Sequence, residues 1–205
     1  MADTRNTRDI PVALSLEPAA RRVARLLDGV SDDQLDAPTP CADTSVAALL
    51  DHFVLLTAAF RDTARKVPGR DGPPPQASAE HLDPRWRSVL PRQLDELVAA
   101  WREPAAWEGM AQAGGVTMPA PVMATVALDE LVLHGWDLAR ATGQPYEPDP
   151  ASAQAVFEFT SAMSGPEHLE SREGLFGPVV EVAPDAPPFD RALGFAGRDP
   201  GWTAS

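Results

Sequence analysis

Apolar residues in this chain recur at helical intervals between proline-rich breaks. Ser15, Glu17 and Pro18 form a helix start, and residues 19–30 carry Val23, Leu26, Leu27 and Val30 three and four apart. Asp43 or Thr44 is placed to cap a second helix, whose stripe of Val46, Leu49, Leu50, Phe53, Val54 and Phe60 runs until Pro68-Gly69. Residues 68–82, with Gly72-Pro73-Pro74-Pro75, read as a long loop, and a third helix is expected over 83–101. Residues 103–118 read as irregular, with a turn at Gly114-Gly115. A fourth helix follows over 119–141 and stops at Gly143. A weaker helix over 150–163, an extended stretch over 176–182, a proline-rich turn and a short helix over 189–196 complete the pattern. No internal repeat is visible, and the fold class is all-α.

The chain has 205 residues, 44% of them hydrophobic, enough for one well-packed domain. Expected divisions are a disordered N-terminus over 1–11, the helical core over 12–165 and an extension over 166–205 packed on that core. The net charge of -13 opposes binding to nucleic acid or to an anionic lipid surface. Lys66 is the one lysine among 17 basic residues, a skew that points to a GC-rich bacterial genome rather than to chemistry. The first residues lack the apolar run of a signal peptide, and no later stretch is apolar enough to span a bilayer, so a cytoplasmic protein is expected. The single cysteine, Cys41, excludes an internal disulfide. It precedes a helix N-terminus, where it serves either as a small buried residue or as a stabilised thiolate.

The fourth helix carries the chemistry. It is apolar on nearly every side, which marks a buried helix, so its charged groups need an explanation. At about 100° per residue, Glu130, His134 and Asp137 fall on one stripe with Met123, Val126, Ala127 and Leu133. Burying a carboxylate without a partner costs several kcal/mol. Glu and His four apart satisfy each other as a hydrogen-bonded pair, the commoner arrangement, or supply two ligands of one cation. A third ligand has to come from another helix. His52 is the best placed, at the border of the second helix's apolar stripe; His81 and His168 lie in loops that hold a ligand less rigidly. Asp137, one turn beyond His134, is placed either to accept the free imidazole N–H or to pair with Arg140 or another basic group. Trp86, Trp101 and Trp136 are candidates for pocket walls, with core packing the plainer alternative.

Two segments carry a family resemblance. Residues 35–52, Leu-Asp-Ala-Pro-Thr-Pro-Cys-Ala-Asp through Val46, Leu49, Leu50 and His52, and residues 131–143, Leu-Val-Leu-His-Gly-Trp-Asp-Leu-Ala-Arg-Ala-Thr-Gly, resemble the actinobacterial branch of the DinB superfamily. That branch is similar to the metal-binding domain of mycothiol-dependent maleylpyruvate isomerase. Phe176-Gly177-Pro178, Asp190-Arg191 and Gly197-Arg198-Asp199-Pro200 also fit its small single-domain members. The resemblance implies a four-helix bundle of up-down-down-up course with metal ligands at His52, Glu130 and His134. It also implies a low-molecular-weight thiol, mycothiol, as cosubstrate and a small electrophile as its acceptor. Imidazole and carboxylate suit zinc, and also nickel, iron or manganese. A non-catalytic bundle that binds metal and ligand in a stress response is the alternative, and a homodimer is compatible with either. Thr44 stands where the family has Trp, and the stretch after Gly143 is short for the isomerase's further domain.

Overall fold

The structure, a computed structural model, describes residues 14–68, 75–172 and 175–204. The expected disordered segment 1–11 lies outside the described residues, as do residues 69–74 of the long loop. The described chain is mostly helical: α1 Glu17–Asp28, α2 Val46–Ala64, α3 Trp86–Arg102, α4 Ala120–Ala141, α5 Pro150–Ala162, α6 Leu169–Arg172 and α7 Pro188–Phe195. A small antiparallel hairpin, β1 Met110–Ala113 and β2 Val116–Pro119, precedes α4.

That hairpin corrects the irregular reading of 103–118. Gly114 and Gly115 have φ of 57° and 82°, which gives the two left-handed residues that a tight hairpin turn requires. The strands lack the alternation that would have announced them, because Ala111 is the one buried residue of the pair. Their support comes instead from the last turn of α2 and the residues just after it. Lys66 Nζ donates to the carbonyls of Ala106 (3.1 Å) and Glu108 (2.7 Å), and Thr63 Oγ1 to that of Gln112 (2.6 Å). The one lysine of the chain is therefore a docking group.

Helix α1 packs on α3 and α4, and α2 packs on the same two; α5 packs on α4 and α7. The stripes read from the sequence are the buried faces: Val23, Leu26 and Leu27 in α1, and Leu49, Leu50, Phe53 and Phe60 in α2. Each such side chain contributes about 1.5–3 kcal/mol by leaving water. Trp86, Trp101 and Trp136 are all buried, and Trp101 Nε1 donates to the Phe60 carbonyl at 3.1 Å. They belong to the core.

The entry to α2 differs from expectation by one residue. Ser45, not Asp43 or Thr44, is the cap, its hydroxyl accepting from Ala48 N at 3.3 Å. Two further N–H groups of the first turn are taken up by earlier backbone, Val46 by Ala37 O (2.9 Å) and Ala47 by Leu35 O (2.8 Å). These bonds fix the rotation of α2 about its axis, and hence the direction of His52.

Candidate metal site

Between Met123 and Ala139, only Thr125, Glu130 and His134 escape full burial. Glu130 and His134 therefore open from an otherwise buried helix toward α2, their side chains 20% and 12% exposed. Asp137, on the same stripe, lies fully inside. His52 reaches the pair from α2. Its Nε2 lies 3.2 Å from Glu130 Oε2, and His134 Nε2 lies 3.1 Å from the same oxygen. The two imidazoles meet edge to face, with ring centroids 4.7 Å apart.

The donor set fits a divalent ion. Two imidazole nitrogens and one carboxylate oxygen lie within 4.8 Å of one another. Donors held about 2.0–2.1 Å from a tetrahedral ion stand roughly 3.3 Å apart, close to the separations found here. A proton can also occupy the cluster. Burial opposes charge on His134, but its hydrogen bonds with Asp137 and Glu130 outweigh that cost and raise the imidazole to about 10. Burial likewise works against the Glu130 carboxylate, and the bonds from His134 and His52 hold it well below the usual carboxylate range. Proton and cation thus compete for one place.

Asp137 is bonded on two sides. Its Oδ2 lies 2.9 Å from His134 Nδ1 and accepts from Arg198 Nη2 at 3.1 Å. Both alternatives read from the sequence are therefore realised, but the basic partner is Arg198 rather than Arg140, which instead bonds the Trp202 carbonyl. Burial raises the Asp137 carboxyl, and the bond with His134 and the charge of Arg198 bring it below its ordinary value.

The structure brings His52, Glu130, His134 and Asp137 together, and His81 and His168 lie outside this cluster. Sequence reasoning missed two neighbours. Arg198 appeared in a quoted motif without a role, and its distance of 61 residues from Asp137 leaves no periodic signal. Cys41 offers an atom within 4.8 Å of ligand atoms on His134 and Asp137, because the Pro38–Ser45 bridge folds the α2 entry loop back over α4. Two cavities of 360 and 230 Å³, beside Arg21, Arg22 and Arg25 of α1 and beside Trp101 and Trp107, share no residue with the cluster.

Fold and site together define a helical protein whose two-histidine, one-glutamate cluster is fit for a divalent ion. The chain belongs to the family described as mycothiol maleylpyruvate isomerase N-terminal domain, whose pattern matches residues 16–139. The resemblance drawn from the two histidine-containing segments thus holds. The chain is similar to an uncharacterized protein of Mycobacterium tuberculosis, Rv0738, at 29% identity over 189 residues, covering 85% of this chain and 91% of the relative. In fold it is similar to the crystal structure of the mycothiol-dependent maleylpyruvate isomerase, at TM-score 0.55 and 17% identity, over 73% of this chain and 71% of that one. A histidine-to-alanine mutant of that isomerase matches at TM-score 0.55 and 18% identity, with the same coverage. At such identity these structures speak for the fold alone.

Proposed function

We propose that His52, Glu130 and His134 hold a divalent ion, zinc by ligand type, and that the chain uses a low-molecular-weight thiol, mycothiol, in transfer to or isomerisation of a small electrophile. The observation that carries this reading is the convergence of three donor atoms from two helices, with Glu130 Oε2 3.2 and 3.1 Å from the two imidazole nitrogens. Family membership supports the thiol. Helices α1 to α4 are read as the up-down-down-up bundle, within residues 12–165, and residues 166–205 as an extension packed on it.

Held by His52, Glu130 and His134 alone, an ion would keep an open position and would supply Lewis acidity that favours the ionised form of a thiol. The protein's own contribution is placement. His52 comes from the half-exposed side of α2, with 37% of its side chain accessible, so the cluster can be reached from solvent. Asp137 takes the Nδ1–H of His134 and leaves Nε2 free to face Glu130 and His52. The net charge of -13 makes an anionic nucleic acid or lipid an unsuitable partner and leaves a small molecule as the fitting one. No helix among the described residues is long and apolar enough to cross a membrane.

The test is elemental analysis of the natively purified chain, with thiol consumption measured across a panel of electrophiles for wild type and His52→Ala. Stoichiometric metal and turnover, both lost in His52→Ala, are expected. Full turnover by a metal-free His52→Ala protein overturns the proposal. Metal with bound thiol but no consumption would instead favour the non-catalytic bundle.

A further inference from the structure

The C-terminal segment beyond residue 139, where the family pattern ends, reaches the cluster through one buried arginine. The turn after α7 makes this reach possible. Gly197, at φ 83°, passes so close to Gly177 that a Cβ would stand 2.7 Å from its Cα and 2.9 Å from the Pro178 carbonyl oxygen. Arg198 N then bonds the Leu193 carbonyl at 2.8 Å, and the side chain turns inward until 6% of it remains exposed. Its Nη1 donates to the Ala196 carbonyl at 2.8 Å, anchoring the guanidinium to its own turn, and Nη2 donates to Asp137 Oδ2. That oxygen also meets His134 Nδ1.

From this chain of contacts we infer that Arg198 is a positioning residue for the metal site, acting through Asp137 on the ring orientation of His134. The inference rests on the metal reading of His52, Glu130 and His134. A carboxylate held on one side alone can swing about its χ angles, and the imidazole it orients swings with it. Arg198 removes that freedom because its planar fork is fixed at one edge by the Ala196 carbonyl and meets the carboxylate at the other. The guanidinium already places a positive charge on Asp137, so the Cys41, His134 and Asp137 trio beside it is a poor place for a second cation. Arg140 makes the reverse tie, from α4 to the Trp202 carbonyl, so the segment is docked on α4 from both sides.

The experiment measures zinc affinity of the metal-stripped full chain by competition with a chromophoric chelator, and the visible spectrum of the cobalt-loaded protein as a report on ligand geometry. Arg198→Gln is expected to weaken zinc about 10–100-fold and to alter the cobalt spectrum, with Arg198→Lys recovering part of the loss. Asp137→Asn should weaken zinc similarly, and Arg198→Gln added to it should cost little more, because the two act in series. The control is Arg172→Gln. Arg172 is also buried and ties the same segment through the Met163, Gly177 and Phe195 carbonyls, without touching Asp137. It should lower the melting temperature and leave zinc affinity and the cobalt spectrum unchanged. Wild-type affinity and spectrum in Arg198→Gln, or an equal loss in Arg172→Gln, overturns the inference. If Arg198→Gln does not fold, Arg198→Lys decides on the same readouts. A wild-type chain that binds no divalent ion overturns the metal reading and this inference together, whereas a metal-binding wild type with an unaffected Arg198→Gln overturns this inference alone.

Discussion

Gly197 and Gly115 provide a paired test of how closely the C-terminal segment is fitted. Their φ angles are nearly identical, 83° and 82°, but a Cβ at Gly197 meets backbone atoms at 2.7–2.9 Å while one at Gly115 meets nothing within 4 Å. Alanine at either position bears the left-handed cost of about 1–2 kcal/mol. At Gly197 it must also push Gly177 and Pro178 away, and those are main-chain atoms that cannot rotate aside. Overpacking of that kind costs about 1–3 kcal/mol. The difference between Gly197→Ala and Gly115→Ala is therefore about 1–3 kcal/mol, which for a domain of this size is a gap in melting temperature of roughly 2–12 °C. Thermal unfolding followed by circular dichroism, checked by urea midpoints, measures it. Equal shifts in the two variants, within about 1 °C, would refute the claim that the contact with Gly177 is tight. Because Gly197 delivers Arg198 to Asp137, Gly197→Ala should also weaken zinc binding, and Gly115→Ala should not.

Other outcomes follow from the charges in the cluster. The metal-free protein should lose stability as pH rises from 6.5 toward about 10, because His134 binds its proton more tightly folded than unfolded and that advantage disappears as the proton leaves. It should also lose stability as pH falls below the ordinary carboxylate range, where the lowered Glu130 and Asp137 carboxyls become protonated. Urea titrations from about pH 2 to 10 test both edges, and saturating zinc should remove the alkaline one; an alkaline edge that zinc leaves untouched would contradict the competition of proton and ion. Asp129 behaves in the opposite sense to its neighbours. Its Oδ1 is buried without a hydrogen-bond partner, and desolvation pushes its carboxyl well above the ordinary value. Asp129→Asn should therefore stabilise the protein at pH 8 and do so less at pH 4. A stability loss at pH 8 would mean that Asp129 is satisfied in solution.

The sequence by itself determined the helices and the identity of the cluster. Both rest on local rules: a 3.6-residue period places Leu49, Leu50 and Phe53 on one face, and the same period aligns Glu130, His134 and Asp137. A polar stripe on an otherwise apolar helix is legible because burial makes unexplained charge costly. His52 could be nominated because it borders a stripe of its own. The hairpin at 110–119 was not legible, since its strands bury almost nothing and are held by Thr63 of α2 and by Lys66 just beyond that helix.

Only the tertiary structure decided how far each group is exposed and what stands behind it. The periodic stripe treats Glu130, His134 and Asp137 alike, yet the packing of α2 and the C-terminal segment leaves the first two partly exposed and seals the third. Cys41 approaches His134 only because Ser45 and the Pro38–Ser45 bridge turn its loop back. Arg198 meets Asp137 across 61 residues because a glycine packed against Gly177 aims it there. Helical periodicity is a short-range property of the backbone, whereas contacts such as these depend on loop closure and on what else fills the space, which no local pattern encodes.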